Sequence, residues 1–170
     1  MLALYVQQQW HLTALHTSLI LVPFSIGTIG ATVVLNPRLL HRGPRFMLVA
    51  GTPFVVIGAA IALGTAGVHS WGWLIAGNAL IGIGTGIYSP SLNQIAAASA
   101  GAERAGLASG IYNTSRQIGQ ATGIALLGAV ITASDPVLGL RIGLSLCGAL
   151  GALILVLTLA YVPRDEQPAR

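Results

Sequence analysis

Arg116 is the residue in this chain whose type and placement most invite chemistry. It lies within the long apolar stretch 105–133, with Asn113, Gln117 and Gln120 beside it. A charge at the centre of a lipid-spanning helix costs about 3 kcal/mol on insertion scales, so such a residue as a rule faces a water-filled cavity or a polar partner. At helical spacing Ser109, Asn113, Arg116 and Gln120 share one face, flanked by Gln117. The apolar stretch before it repeats the pattern. Asn78, Gly82, Thr85, Ser89 and Asn93 recur at steps of three and four, and Pro90 is placed to kink the same helix. Two polar stripes on successive helices suggest two walls of one aqueous cavity, lined by Asn78, Thr85, Ser89, Asn93, Asn113, Arg116, Gln117 and Gln120. The competing reading is that these groups hydrogen-bond between packed helices and meet no substrate. For the Asn, Ser and Thr residues the two readings stand level; for Arg116 the cost of burying a dry charge favours the cavity.

Other chemistries find little support. All four acids, Glu103, Asp135, Asp165 and Glu166, lie outside the apolar stretches, and no histidine follows His69. Ser109 and Ser115 therefore have no histidine base downstream, and a serine nucleophile needs a base within reach. His11 and His16 are a poor ligand pair, the one cysteine, Cys147, makes no cluster, and neither metal nor cofactor is expected. The run Gly82-Ile-Gly84-Thr-Gly86 lacks the strand–turn–helix setting of a nucleotide loop.

The elements that must position these residues follow from composition. Apolar residues make up 54% of the 170 and charged residues 7%, against about 25% charged in a soluble domain. A soluble core of this size would lack a charged skin, so the chain reads as an all-α membrane protein. Five stretches meet the length a spanning helix needs: 15–36, 45–66, 71–98, 105–133 and 137–162. Residues 1–8 read as the last turns of a sixth helix. Asn36-Pro37 is expected to end the first span and Gly43-Pro44 to turn the chain before the second. Spans 45–66 and 137–162, nearly free of polar groups, read as lipid-facing or packed rather than cavity-lining. With 22 glycines, about three pairs spaced four apart arise by chance, so Gly82/Gly86, Gly106/Gly110, Gly119/Gly123 and Gly139/Gly143 give no signal for a specific dimer.

Net charge is +4, but the basic residues form no stripe for nucleic acid. They alternate by loop instead. Arg38, Arg42, Arg45, Arg104, Arg164 and Arg170 fall on one side and Arg141 on the other, while Trp10, Trp71 and Trp73 gather on the arginine-poor side. The positive-inside rule then places loops 37–45 and 99–105 and the C-terminus in the cytoplasm, in a multi-pass protein of the inner or plasma membrane.

The run Arg104-Ala-Gly-Leu-Ala-Ser-Gly-Ile-Tyr-Asn-Thr-Ser-Arg-Gln-Ile-Gly-Gln-Ala-Thr-Gly-Ile-Ala-Leu-Leu-Gly128 resembles the penultimate helix of the fourteen-helix drug–proton antiporter branch of the major facilitator superfamily. Gly82-Ile-Gly-Thr-Gly-Ile-Tyr-Ser-Pro90 is similar to the glycine-rich fourth helix of that family's C-terminal half, and Tyr5-Val-Gln7 to the end of its first. The loop Asn36–Arg45, with Arg38, Arg42, Gly43 and Arg45, resembles the cytoplasmic loop joining the second and third. Family members usually carry Asp-Arg there; this chain has His41-Arg42. The resemblance implies an incomplete C-terminal half over residues 1–163 and a cytoplasmic tail at 164–170. It implies a piece of a proton-coupled exporter of small amphipathic compounds, inactive without its N-terminal half, with the bilayer and that half as partners. A non-transporting subunit packed on a polytopic partner is the alternative, and an intramembrane enzyme is disfavoured by the missing base and acids.

Overall fold

The structure, a computed structural model, describes residues 13–64, 71–133 and 136–161, and among these it is helical with no strand. The expected helix remnant at 1–8, the loop 67–70 and the tail 164–170 lie outside the described residues. Helix α1 is Ala14–Gly30, continued by a π turn at Ala31–Leu35, a short helix α2 at Asn36–Leu39 and a 3-10 turn at Leu40–Arg42. Then come α3 (Gly43–Gly64), α4 (Trp71–Ser99), α5 (Ala105–Ala133) and α6 (Pro136–Tyr161).

The expected break at Asn36-Pro37 is not there. Helical backbone runs on to Leu39 through the π turn that immediately precedes Pro37, and prolines within membrane helices are tolerated where such local adjustments accommodate them. The turn falls instead at Gly43, whose φ of +83° suits a residue without a side chain. Pro23, Pro53 and Pro90 all lie inside helices, as membrane helices tolerate. Gly101, at φ +74°, ends α4 in the left-handed conformation common after helix C-termini.

By length and composition three helices suffice to cross a membrane: Leu15–Leu39, Gly43–Gly64 and Val137–Ala160. Helices α4 and α5 are longer, at 29 residues each, but their polar stripes dilute the apolar content. The exterior is apolar, with Leu15, Ile26, Val33, Ile124 and Val156 all at least 60% exposed. Two buried clusters hold the fold. Ile20, Ala62, Leu74, Leu140 and Leu144 join α1, α3, α4 and α6; Ala31, Met47 and Ile87 join the π turn, α3 and α4.

Helix α4 is the strut on which α1, α3 and α5 pack, while α6 packs mainly on α3. The α3–α4 crossing is set by glycines facing glycines. A Cβ added at Gly84 would come within 2.6 Å of the Gly51 carbonyl, and one at Gly58 within 2.5 Å of the Gly77 carbonyl, so neither site admits a side chain. Close backbone approach of this kind is how membrane helices gain dispersion contact without a hydrophobic driving force. Gly82 and Gly86 do the same against Phe24 and Thr28 of α1. By contrast, a Cβ added at Gly106, Gly110, Gly119, Gly123 or Gly128 of α5 would meet nothing within 4 Å.

Candidate functional site

Three faces of α4 meet three neighbours, and the polar stripe is divided between two of them. On the α1 side Asn78 donates a long 3.5 Å hydrogen bond to the Ile20 carbonyl. Thr28 and Thr32 donate to the carbonyls of Gly82 and Gly86 at 3.1 and 3.2 Å. The lack of a side chain at these glycines exposes their carbonyls to a hydroxyl from the next helix, so close approach and hydrogen bonding come from the same residues.

On the α5 side lies a pocket of about 410 Å³. Thr85, Tyr88, Ser89 and Leu92 of α4 line one wall, Tyr112, Ser115, Arg116 and Gln120 of α5 the other, and Ile154 of α6 closes it. Of the eight residues expected to share a cavity, Thr85, Ser89, Arg116 and Gln120 are brought together here. Asn78 is turned into the α1 interface. Asn113 donates its amide to the Ser109 carbonyl at 3.0 Å on its own helix. Gln117 is exposed and not among the lining residues. The side-chain carbonyl of Asn93 is buried with no hydrogen-bond partner among the described residues, as is the hydroxyl of Ser91. Tyr88, Tyr112 and Ser115 fall outside the stripes read from sequence. Each lies within one residue of a striped position or its helical neighbour, so widening each stripe toward the facing helix would include them.

A second cavity, of about 300 Å³, lies between α3, α4 and α6 and shares Thr85, Tyr88 and Ile154 with the first. Its remaining wall is Thr52, Val55, Ile81, Cys147, Leu150 and Gly151. Helices α3 and α6, expected only to pack or face lipid, therefore both line a cavity. Their apolar and glycine residues carry no polar signal by which sequence could mark them.

Arg116 is exposed and is the one formally charged residue lining either pocket. The acid among the described residues, Glu103, belongs to the turn before α5. Arg42 stacks its guanidinium 5.0 Å from the Phe46 ring centroid. Arg45 donates to the Leu159 carbonyl at 3.2 Å, tying α3 to the last turns of α6. Arg38 lies exposed in the last turn of α2, and Gly43 makes the turn between them.

Comparison with known proteins gives one consistent answer. The profile described as Major Facilitator Superfamily matches residues 1–170. The chain is similar to quinolone resistance protein NorB of Staphylococcus aureus (strain COL), 37% identical over 96 residues that cover 54% of this chain and 21% of that protein. It is similar to multidrug resistance protein Stp of Mycobacterium tuberculosis (strain ATCC 25618 / H37Rv), 31% identical over 121 residues, 69% of this chain and 22% of that one. The chain thus spans about a fifth of the length of these relatives. No solved structure matches it significantly.

Proposed function

The chain belongs to the Major Facilitator Superfamily, and on that premise we propose that it supplies the C-terminal helices of a secondary exporter of small amphipathic compounds. The observation that carries this reading is the pocket in which Thr85 and Ser89 of α4 face Arg116 and Gln120 of α5. A polar, arginine-bearing cleft between two otherwise apolar helices suits a solute pathway better than a lipid-facing seam. The likeness to proteins named for quinolone and multidrug resistance supports efflux as the direction and amphipathic compounds as the cargo.

In this proposal all five long helices cross the bilayer, with the C-terminus, the arginine-rich turn at 38–45 and the turn at 100–104 in the cytoplasm. Arginine asymmetry supports that orientation. Transport in the intact protein is coupled to protons and needs an N-terminal half that rocks against these helices about a midplane site. The described helices carry no Asp or Glu, and an arginine keeps its proton at any working pH. The proton-trading group would then lie in the partnering half, and this chain alone would not export.

Two measurements test the reading. In a Cys147→Ser background, a cysteine at position 116 should react with a water-soluble thiol reagent, and one at Ile124 should not; no reaction at 116 removes the aqueous cavity. The purified chain in vesicles with an imposed pH gradient should move no dye; gradient-driven movement lost on Arg116→Ala would overturn the need for a second half.

A further inference from the structure

We infer that the two cavities on either side of Tyr88 form one bipartite site for an amphiphile with an anionic head, the head held at Arg116 and the apolar body in the pouch that ends at Cys147. The inference rests on the pathway reading above and specifies its ligand. Continuity is the first argument. Thr85, Tyr88 and Ile154 wall both cavities, and Tyr88 lies near Tyr112 on one side and Cys147 on the other. Each cavity falls in the size range of small-molecule sites, about 300–1,000 Å³.

The two ends differ in chemistry. The pouch contains two threonines, yet both hydroxyls are spent on their own helices, Thr52 on the Leu48 carbonyl at 2.6 Å and Thr85 on the Ile81 carbonyl at 2.8 Å. What remains to face the pouch is hydrocarbon from Val55, Ile81 and Leu150, with the Tyr88 phenol and the Cys147 thiol as its remaining polar groups. The other end offers Arg116 with Ser89, Ser115 and Gln120. A guanidinium presents a planar fork of donors that matches a carboxylate or sulfonate and holds its charge at all relevant pH. Every acid in the sequence falls outside the described helices, so a cationic head would meet a fixed positive charge with no compensating carboxylate on these walls. The same ligand chemistry comes from two sources, a free amphiphile or an anionic lipid of the bilayer.

The chain's single cysteine, which is exposed, reports on the pouch directly. The full chain in phosphatidylcholine nanodiscs is labelled at Cys147 with a neutral, membrane-permeant maleimide. Octyl sulfonate should slow labelling, butyl sulfonate should slow it less, and octyltrimethylammonium should leave it unchanged. Arg116→Gln should raise the half-protecting concentration of octyl sulfonate about tenfold, the loss of one charge-assisted contact, while Arg116→Lys keeps most of the protection. Equilibrium binding of radiolabelled octyl sulfonate gives the same comparison without the thiol, and helix content by circular dichroism confirms that the variants fold. Replacing phosphatidylcholine with phosphatidylglycerol separates the sources: labelling that is slow before any addition and recovers in Arg116→Gln identifies a lipid, and an unchanged rate identifies the free amphiphile. Equal protection by the ammonium compound would overturn the anionic head and leave the pathway standing. No protection and no binding by any amphiphile, with position 116 still reachable from water, would overturn the bipartite site alone; an unreachable position 116 would sink both.

Discussion

Helix α4 makes two interfaces built on opposite principles. Against α3 it is closed by glycines, with Gly84 on Gly51 and Gly77 on Gly58, and no room for a methyl group. Against α5 it is held apart by side chains, tyrosines, serines and an arginine, with a pocket of about 410 Å³ between them. No described residue of α5 is buried, and a Cβ added at its glycines would meet nothing within 4 Å. The first interface gains from dispersion at close range, which is what drives helix association where lipid is as apolar as the partner. The second leaves polar surface that a solute or water must satisfy. One helix thus carries a rigid seam on one side and an open, chemically armed seam on the other.

Substitutions can break or sharpen this contrast. The largest effect is expected at the closed seam. Gly84→Leu would drive a side chain into the Gly51 carbonyl and Val55, and should destabilise the chain by about 3 kcal/mol, the upper end for overpacking, read as a large fall in Tm in detergent. If Gly84→Leu is tolerated, the closed seam is not what holds α3 to α4. Next come the hydroxyls that bridge α1 and α4. Thr28→Val and Thr32→Val each lose a bond to a glycine carbonyl and should each cost about 0.6 kcal/mol, the average for such bonds in membrane proteins, measured by unfolding in mixed micelles. Smaller still, Arg45→Gln removes the donor on the Leu159 carbonyl and should cost about 0.5 kcal/mol, seen as faster amide exchange confined to the last turn of α6. At the open seam Gly119→Leu should change Tm hardly at all, within about 0.5 kcal/mol. A fall comparable with that of Gly84→Leu would mean that α5 is packed as tightly as α3.

What sequence could show of this follows the same division. The open seam was legible because its residues are polar in an apolar context: Thr85, Ser89, Arg116 and Gln120 stand out by type and spacing, and they do meet around one pocket. The closed seam was not, because 22 glycines make spaced pairs at the rate of chance, and only the neighbouring backbone distinguishes Gly84 from Gly119. Asn78 and Asn113 show the limit of a stripe. Each lies on the expected helical face, yet one bonds to α1 and the other to its own helix, since a face does not specify which neighbour it meets. The part α6 takes in both pockets was hidden because Ile154, Leu150 and Gly151 look the same whether they touch lipid or line a cavity. The long helices α3 to α6 begin and end within two residues of the expected limits; the missed boundary was at Asn36-Pro37, where the helix carries the proline through by way of the π turn just before it.

The π turn at Ala31–Leu35 has a consequence for how this chain tolerates change in length. The Asn36 amide reaches back five residues to the Ala31 carbonyl, one more than an α-helix uses. One surplus residue is thereby absorbed within an otherwise unbroken rod, so that the residues after it keep the facing they would have in a regular helix one residue shorter. Asn36, stacked over Ala31, faces inward at 8% exposure. A single-residue deletion between 31 and 35 should therefore leave the helix continuous, more regular than before, with Asn36 still inward and the turn that carries Arg38 still aimed as it was, whereas a deletion within a regular stretch of helix would rotate everything after it by about 100°. At this place the chain can lose a residue and keep both its helix and its aim.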